Sequence, residues 1–262
     1  MKFPKPNYTV EYKEVRRGAI TWHEYPVVMP DGTKVGPFHS ATKISGIVNK
    51  PLLIPWAKKL TIQCAREELL KAYQSGKVID LATIDGIMEM AKKAADAYKD
   101  KAADIGTRTH EAIDRWILGM DPKLEPDTKP GFDNFMRFLE SEKLRVVMGD
   151  TNIASLKYKV GGRSDVYFEK NGKLILGDFK TGKALYDEAT IQVGCYDVCT
   201  EETYGLKVDA TVVLRLGKEV AGDFEPKWVN LAEARDSFHY ACGLVKQLAK
   251  KGDLWTPAPV LA

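Results

Sequence analysis

The stretch RSDVYFEKNGKLILGDFK, Arg163 to Lys180, decides the architecture. Two β-prone runs flank Asn171-Gly172, a dipeptide that readily supplies the two positive φ angles of a type I′ hairpin turn. Pairing outward from Lys170 and Lys173 sets Asp165 directly opposite Asp178, in the non-hydrogen-bonded class whose Cβ atoms lie about 4.5–5.5 Å apart. Side chains alternate along a strand, so Lys180 shares a face with Asp178, while Val166, Phe168, Ile175 and Phe179 form an apolar face suited to a core. Two carboxylates facing each other repel, and one of them resists ionisation. A divalent cation removes the conflict, since Mg²⁺ takes oxygen ligands, typically one or two carboxylates plus substrate phosphate. Solvation of both aspartates, or a bulge that breaks the register, is the alternative reading.

Outward from the hairpin, residues 145–148 and 154–160 read as strands before it, beside the hairpin arms 163–170 and 173–180. A helix is expected from about 187 to 200. A strand follows at 210–216, another near Trp228, and a closing helix at 231–250. Upstream, residues 27–29 and 33–35 flank the turn Pro30-Asp31-Gly32. Residues 40–118 carry helical spacing: a helix opening near Pro55, a second at 81–101 and a third at 104–118, stopped by Gly119. A proline-rich loop at 121–130 and a short helix at 132–143 complete the chain. The order predicts an α/β (α+β) fold with a central mixed sheet flanked by helices. It is organised as one domain over residues 1–262: N-terminal strands at 1–39, a helical portion at 40–144 and an αβ core at 145–262.

The chain has 262 residues, 44% hydrophobic and 29% charged, an ordinary globular composition. No apolar run approaches the ~18 residues of a membrane span. The N-terminus lacks the apolar region of a secretory signal. Four cysteines are too few for a disulfide scaffold and lack C-x-x-C spacing; Cys195 and Cys199 read as buried free thiols. An intracellular, cytoplasmic protein with no membrane partner is expected. Net charge is only +3, but residues 1–59 hold ten Lys/Arg against four Asp/Glu. A basic front end beside an acidic remainder can accompany phosphate binding, although a solvated charged face gives the same count.

Five short motifs then stand in order: Ser40-Ala41-Thr42-Lys43-Ile44 followed by Leu52 to Trp56, Gly106-Thr107-Arg108-Thr109-His110, Gly162-Arg163-Ser164-Asp165, Asp178-Phe179-Lys180, and Gln192-Val193-Gly194-Cys195-Tyr196. Over roughly residues 38–200 this series resembles the PD-(D/E)XK nuclease superfamily, in its RecB-like branch with Cas4 and the phage and mitochondrial genome-maintenance exonucleases. Each motif alone is weak; the five in order are specific.

The resemblance implies a restriction-endonuclease-like core. It also implies a Mg²⁺ or Mn²⁺ site made by Asp165, Asp178, His110 and the backbone carbonyl of Phe179. Lys180 would orient or help deprotonate the attacking water and offset transition-state charge. Gln192 and Tyr196, four apart on one helix face, would contact substrate phosphate or steady the site. Many relatives carry a glutamate on the strand before the glycine turn; the nearest acid here is Asp150, and whether it fills that role stays open. An iron–sulfur cluster is not expected, because no C-x-x-C follows Cys195. His110-Glu111 does not continue as a zincin motif, since position 114 is Asp114. His23, His39 and His239 belong to no motif.

The expected function is hydrolysis of DNA phosphodiester bonds from strand ends, in replication, recombination or repair. Lys43, Lys50, Lys58 and Lys59 are candidates to meet the phosphate backbone, and Thr42 is a further candidate site residue. Trp56 and Tyr25 are candidates to stack on bases, a core tryptophan being the plainer reading. The competing classes are a non-catalytic nucleic-acid-binding or recombination-accessory protein with a relic site, and a hydrolase of small phosphoesters. Strand preference and oligomeric state are not legible.

Overall fold

At the turn between the two central strands, Asn171 and Gly172 adopt φ of 54° and 78°, the paired positive values of a type I′ hairpin. The computed structural model describes residues 3–17, 20–48 and 53–251. The elements in chain order are β1 (Thr9–Val10), β2 (Lys13–Arg17), β3 (Ile20–Val28), β4 (Lys34–Ser40), α1 (Ala41–Ser45), α2 (Leu53–Gln74), α3 (Leu81–Ile117) and α4 (Lys129–Glu142). They continue with β5 (Arg145–Ser155), β6 (Val160–Lys170), β7 (Lys173–Lys180), α5 (Glu188–Tyr204), β8 (Ala210–Leu216), β9 (Phe224–Val229) and α6 (Leu231–Lys251). The result is the expected α+β architecture, a mixed sheet of nine strands among the described residues with helices against it.

The β6–β7 ladder holds the predicted register, from Lys170 opposite Lys173 out to Val166 opposite Gly177. β5 pairs with β6 along its length, from Ser155/Val160 to Arg145/Glu169. That occupies one edge of β6, so its two other partners must share the second edge. β4 pairs there in parallel at Val160 and Gly161, and β7 antiparallel from Val166 onward. The sheet therefore forks at β6. Among the described residues, Gly162 to Asp165 have no ladder partner on the forked edge.

Apolar side chains fill both sides of the sheet. On one, Tyr167, Leu174 and Leu176 pack with Cys195, Cys199, Phe238 and Cys242 of α5 and α6. On the other, Val166, Phe168, Ile175 and Phe179 pack with Ile113 of α3 and with Phe135 and Phe138 of α4. This is the apolar face read from the sequence. Cys195, Cys199 and Cys242 are buried free thiols, and Cys64 is half-buried.

Several expected boundaries change. The strand expected at 154–160 does not form: β5 continues to Ser155, and residues 156–159 turn. Glu202 explains the break, its carboxylate accepting from Ser155 Oγ at 2.5 Å and Leu156 N at 2.9 Å, while Lys159 takes a φ of 55°. The two helices expected at 81–101 and 104–118 are one, α3, because residues 101–104 (Lys-Ala-Ala-Asp) hold no glycine or proline to stop it. The α2 helix begins at Leu53, and Pro55 sits in its first turn, where its missing N–H costs nothing. α4 starts at Lys129, three residues early, with Pro130 in its first turn.

The chain divides into two compact units: Met1–Val48 with Thr109–Ala262, and Asn49–Arg108. The first contains the whole sheet. The second comprises α2 and the N-terminal part of α3; within it, Trp56 meets Tyr98 edge-on at 5.6 Å. No described helix is long and apolar enough to cross a membrane.

Candidate active site

The fork in the sheet positions Asp165. The β6–β7 ladder stops one pair short of Asp165 and Asp178, and Asp165 instead accepts the backbone N–H of Phe179 at 2.6 Å. Its carboxylate thus takes a hydrogen bond that a strand carbonyl would otherwise fill. Side-chain alternation also slips here. A Cβ on Gly162 would come within 2.4 Å of the Tyr196 ring of α5. Ser164 donates to Tyr167 Oη at 3.1 Å, and that hydroxyl lies 2.6 Å from Thr200 Oγ1 on the same helix. Residues three apart point to opposite faces of a regular strand, so the alternation shifts by one residue around Asp165. Across the ladder, the Gly149/Val166 and Thr151/Ser164 pairs flank Asp150, whose φ is 23°.

Asp178 is 1% exposed and faces α5. Lys180 Nζ lies 2.6 Å from its Oδ2 and donates to Gln192 Oε1 at 3.0 Å. Gln192 Nε2 in turn donates to Tyr196 Oη at 2.6 Å. Despite the close ammonium, Asp178 Oδ2 is buried without an aligned hydrogen bond. Burial, with Asp165 adding to it against the pull of Lys180, pushes Asp178 up to about 6. Burial opposes the charge of Lys180 as well, but the carboxylates of Asp178 and Asp165 outweigh it and raise the ammonium's pKa.

His110 enters from α3. Its Nδ1 lies 3.4 Å from Asp165 Oδ1, and its ring meets Phe179 edge-on at 5.7 Å. Burial disfavours the imidazolium, yet Asp165 and Asp178 overcome that and raise the histidine. Asp165 is correspondingly lowered: its own burial is outweighed by His110, then by Lys180 and the Phe179 amide. The structure therefore brings together His110, Asp165, Asp178, Phe179, Lys180, Gln192 and Tyr196 around the fork.

Other candidates fall elsewhere. Asp150 is tied up by Arg163, whose Nε and Nη2 reach its two carboxylate oxygens. Tyr25 is 4% exposed, with its Cβ over Gly161, so it presents no face for a base and is corrected to a core residue. Lys43 is half-buried on α1, where burial lowers its pKa, and Thr42 beside it is exposed. Trp56, Lys58 and Lys59 belong to the second unit, where Trp56 is half-buried and both lysines are exposed. Lys50 and Leu52 lie outside the described residues.

Two neighbours escaped the sequence reading. Asp114 lies one helical turn beyond His110, 4.0 Å from Arg163 Nη2. Its burial, with Asp150 and Asp165 nearby, pushes it up to about 7. The i, i+4 spacing from His110 is the signal that could have found it. Arg163 stands two residues before Asp165 on β6, and strand alternation is the signal that would set it beside that site.

Oxygen donors with one imidazole suit a hard divalent cation, and the buried Asp178 Oδ2 has no hydrogen bond to hold it. Among the described residues, however, no three His, Cys, Asp or Glu side chains already stand as a metal-holding group. The ammonium of Lys180 supplies positive charge at Asp178 instead.

No protein-family model matches the chain, and no curated protein matches it. Solved structures similar to it include an alkaline exonuclease (LHK-Exo) from Laribacter hongkongensis, at 12% identity and a TM-score of 0.32, with 58% of this chain and 91% of that one covered. SSO0001 is similar at 13% identity and a TM-score of 0.30, over 71% of this chain and 85% of that one. Likeness at this level leaves the chemistry to be argued from the residues at the fork.

Proposed function

We propose that the chain is a metal-dependent nuclease of the PD-(D/E)XK kind that hydrolyses DNA phosphodiester bonds, working from strand ends. The observation that carries this reading is the placement of Lys180, between the buried carboxylate of Asp178 and the amide of Gln192, beside Asp165 and His110. Asp165, Asp178, His110 and the Phe179 carbonyl would hold Mg²⁺ or Mn²⁺, which supplies a polarised phosphoryl group and a bound water of lowered pKa. Lys180 would orient or help deprotonate the attacking water and offset charge developing on the phosphoryl oxygens. Gln192, backed by Tyr196, holds the ammonium in place. His110 must lose its proton to act as a ligand, which Asp165 opposes.

The test is a time course with Mg²⁺, Mn²⁺ or EDTA on 5′- and 3′-labelled single- and double-stranded DNA, beside a closed circle. Metal-dependent shortening of linear DNA with the circle spared is expected. Cleavage of the circle would replace the exonuclease with an endonuclease. Binding without cleavage would establish the non-catalytic alternative.

A further inference from the structure

Beside the fork, on the face of β6 turned away from α5, lies a second group of side chains that the hydrolytic chemistry does not use. Gly161 and Arg163, two apart, share that face. Tyr25 covers Gly161, where a Cβ would come 2.3 Å from the tyrosine's own Cβ. Tyr12 then packs edge-on against Tyr25 with ring centroids 5.8 Å apart, and lies 5.2 Å from the His23 ring. Tyr12 is 38% exposed, and the side chain of Arg163 is 45% exposed. Tyr25 thus lies between them, Tyr12 packed on its ring and Arg163 two residues along β6 from the glycine that it covers. A part-exposed aromatic ring and a planar cation therefore border the same face, with Arg163 two residues from Asp165.

Arg163 is held, but by a partner that phosphate can replace. Its fork grips the carboxylate of Asp150, and a guanidinium binds phosphate with the same two-pronged geometry. Two residues of strand rise about 6.6–6.8 Å, the scale of a single nucleotide step in an extended strand. A phosphate at Asp165 therefore places the neighbouring phosphate within the range of Arg163. Tyr12, more than a third exposed, offers aromatic surface to a base; inside a duplex both faces of each base are already stacked, so beyond the single outer face of a terminal pair only unpaired bases can use it.

We infer that Tyr12 and Arg163 form a subsite for the unpaired nucleotide adjoining the one cleaved, Arg163 binding its phosphate and Tyr12 stacking on its base. This rests on the nuclease reading and narrows its substrate to single-stranded DNA or a frayed end.

The experiment measures fluorescence anisotropy of a labelled oligothymidylate in EDTA, where no cleavage occurs, for the full chain and for Tyr12→Ala, Tyr12→Phe, Arg163→Gln and Arg163→Lys. A blunt duplex of equal length is the comparison. Loss of one stacked base weakens binding about tenfold, so Tyr12→Ala should bind the single strand about tenfold less tightly and the duplex unchanged. Tyr12→Phe should restore single-strand binding. Arg163→Gln should weaken single-strand binding similarly, with Arg163→Lys recovering part of it. In Mg²⁺ these losses should appear in KM more than in kcat. Parental single-strand affinity in Tyr12→Ala, or equal losses on both DNAs, would overturn the subsite. Failure of the unaltered chain to cleave any DNA would overturn the nuclease reading instead, so the two failures are distinguishable.

Discussion

A lysine shared between a buried carboxylate and a side-chain amide has little freedom to adjust, which makes Lys180 the sharpest residue to remove. Lys180→Ala should lower kcat about 10²–10⁴-fold, the usual weight of one well-placed charge or proton-transfer group, with KM nearly unchanged. Single-turnover cleavage across an Mn²⁺ titration measures this, and a parental rate would remove Lys180 from the chemistry. A quieter residue constrains the same place. Gly162 leaves room for Tyr196, and a methyl group there would stand 2.4 Å from the ring. Gly162→Ala should cost about 1–3 kcal/mol in urea denaturation by overpacking; an unchanged midpoint would mean that Tyr196 moves aside freely. At this scale the proximity of Asp178, Lys180, Gln192 and Tyr196 was legible, because strand alternation puts the first two on one face and the i, i+4 spacing puts the last two on one helix face. Asp114 and Arg163 were legible only as positions, one helical turn from His110 and two residues from Asp165; their pairing with each other and with Asp150 comes from what α3 and β5 bring beside them.

Among the elements, the β6–β7 hairpin was read correctly because its turn is chemically specific: Asn171 and Gly172 are the residue types that tolerate positive φ. Gly172→Val should destabilise the fold by about 1–3 kcal/mol in chemical denaturation; a loss under a few tenths would show that the turn can relax. The fork could not be seen in advance. It depends on β4 reaching β6 across more than a hundred residues of chain, and no local pattern records that pairing. The same holds for the end of β5, set by Glu202 from a distant helix. The β4 strand also carries a pH response. His39 is held down to about 4 from the usual 6.5, first by burial and then by Lys43. Between those values the unfolded chain binds a proton that the folded chain refuses, so stability rises with pH there. It should be full above about pH 6.5, fall by about 2–3 kcal/mol on acidification to pH 4, and gain no further slope from this group below that. Urea melts across this range should flatten in His39→Gln. An identical acid limb in that variant would assign the slope to other groups.

Across the whole molecule, buried apolar side chains are distributed unevenly. In the unit Asn49–Arg108, the buried hydrophobic residues among those described are Ala72, Ile87 and Ala91, while Ile62, Tyr73 and Met88 are 68%, 74% and 50% exposed. The strands β6, β7 and β8 are packed on both faces. Local stability follows buried contacts, so amides of α2 should exchange with deuterium well before those of β7, as read by mass spectrometry of peptic fragments. Equal protection would mean that α2 gains its stability from something other than its buried side chains. The cysteines turn the same contrast into a chemical recorder. Cys64 is half-buried on α2, whereas Cys195, Cys199 and Cys242 are shut in the core beside the sheet. Burial also holds Cys242 up at about 12, which keeps it from the thiolate form that reacts. An aromatic disulfide reagent should therefore label one thiol promptly and the remaining three only as fast as the core opens. Without any introduced probe, the slow phase becomes a direct clock for unfolding under native conditions.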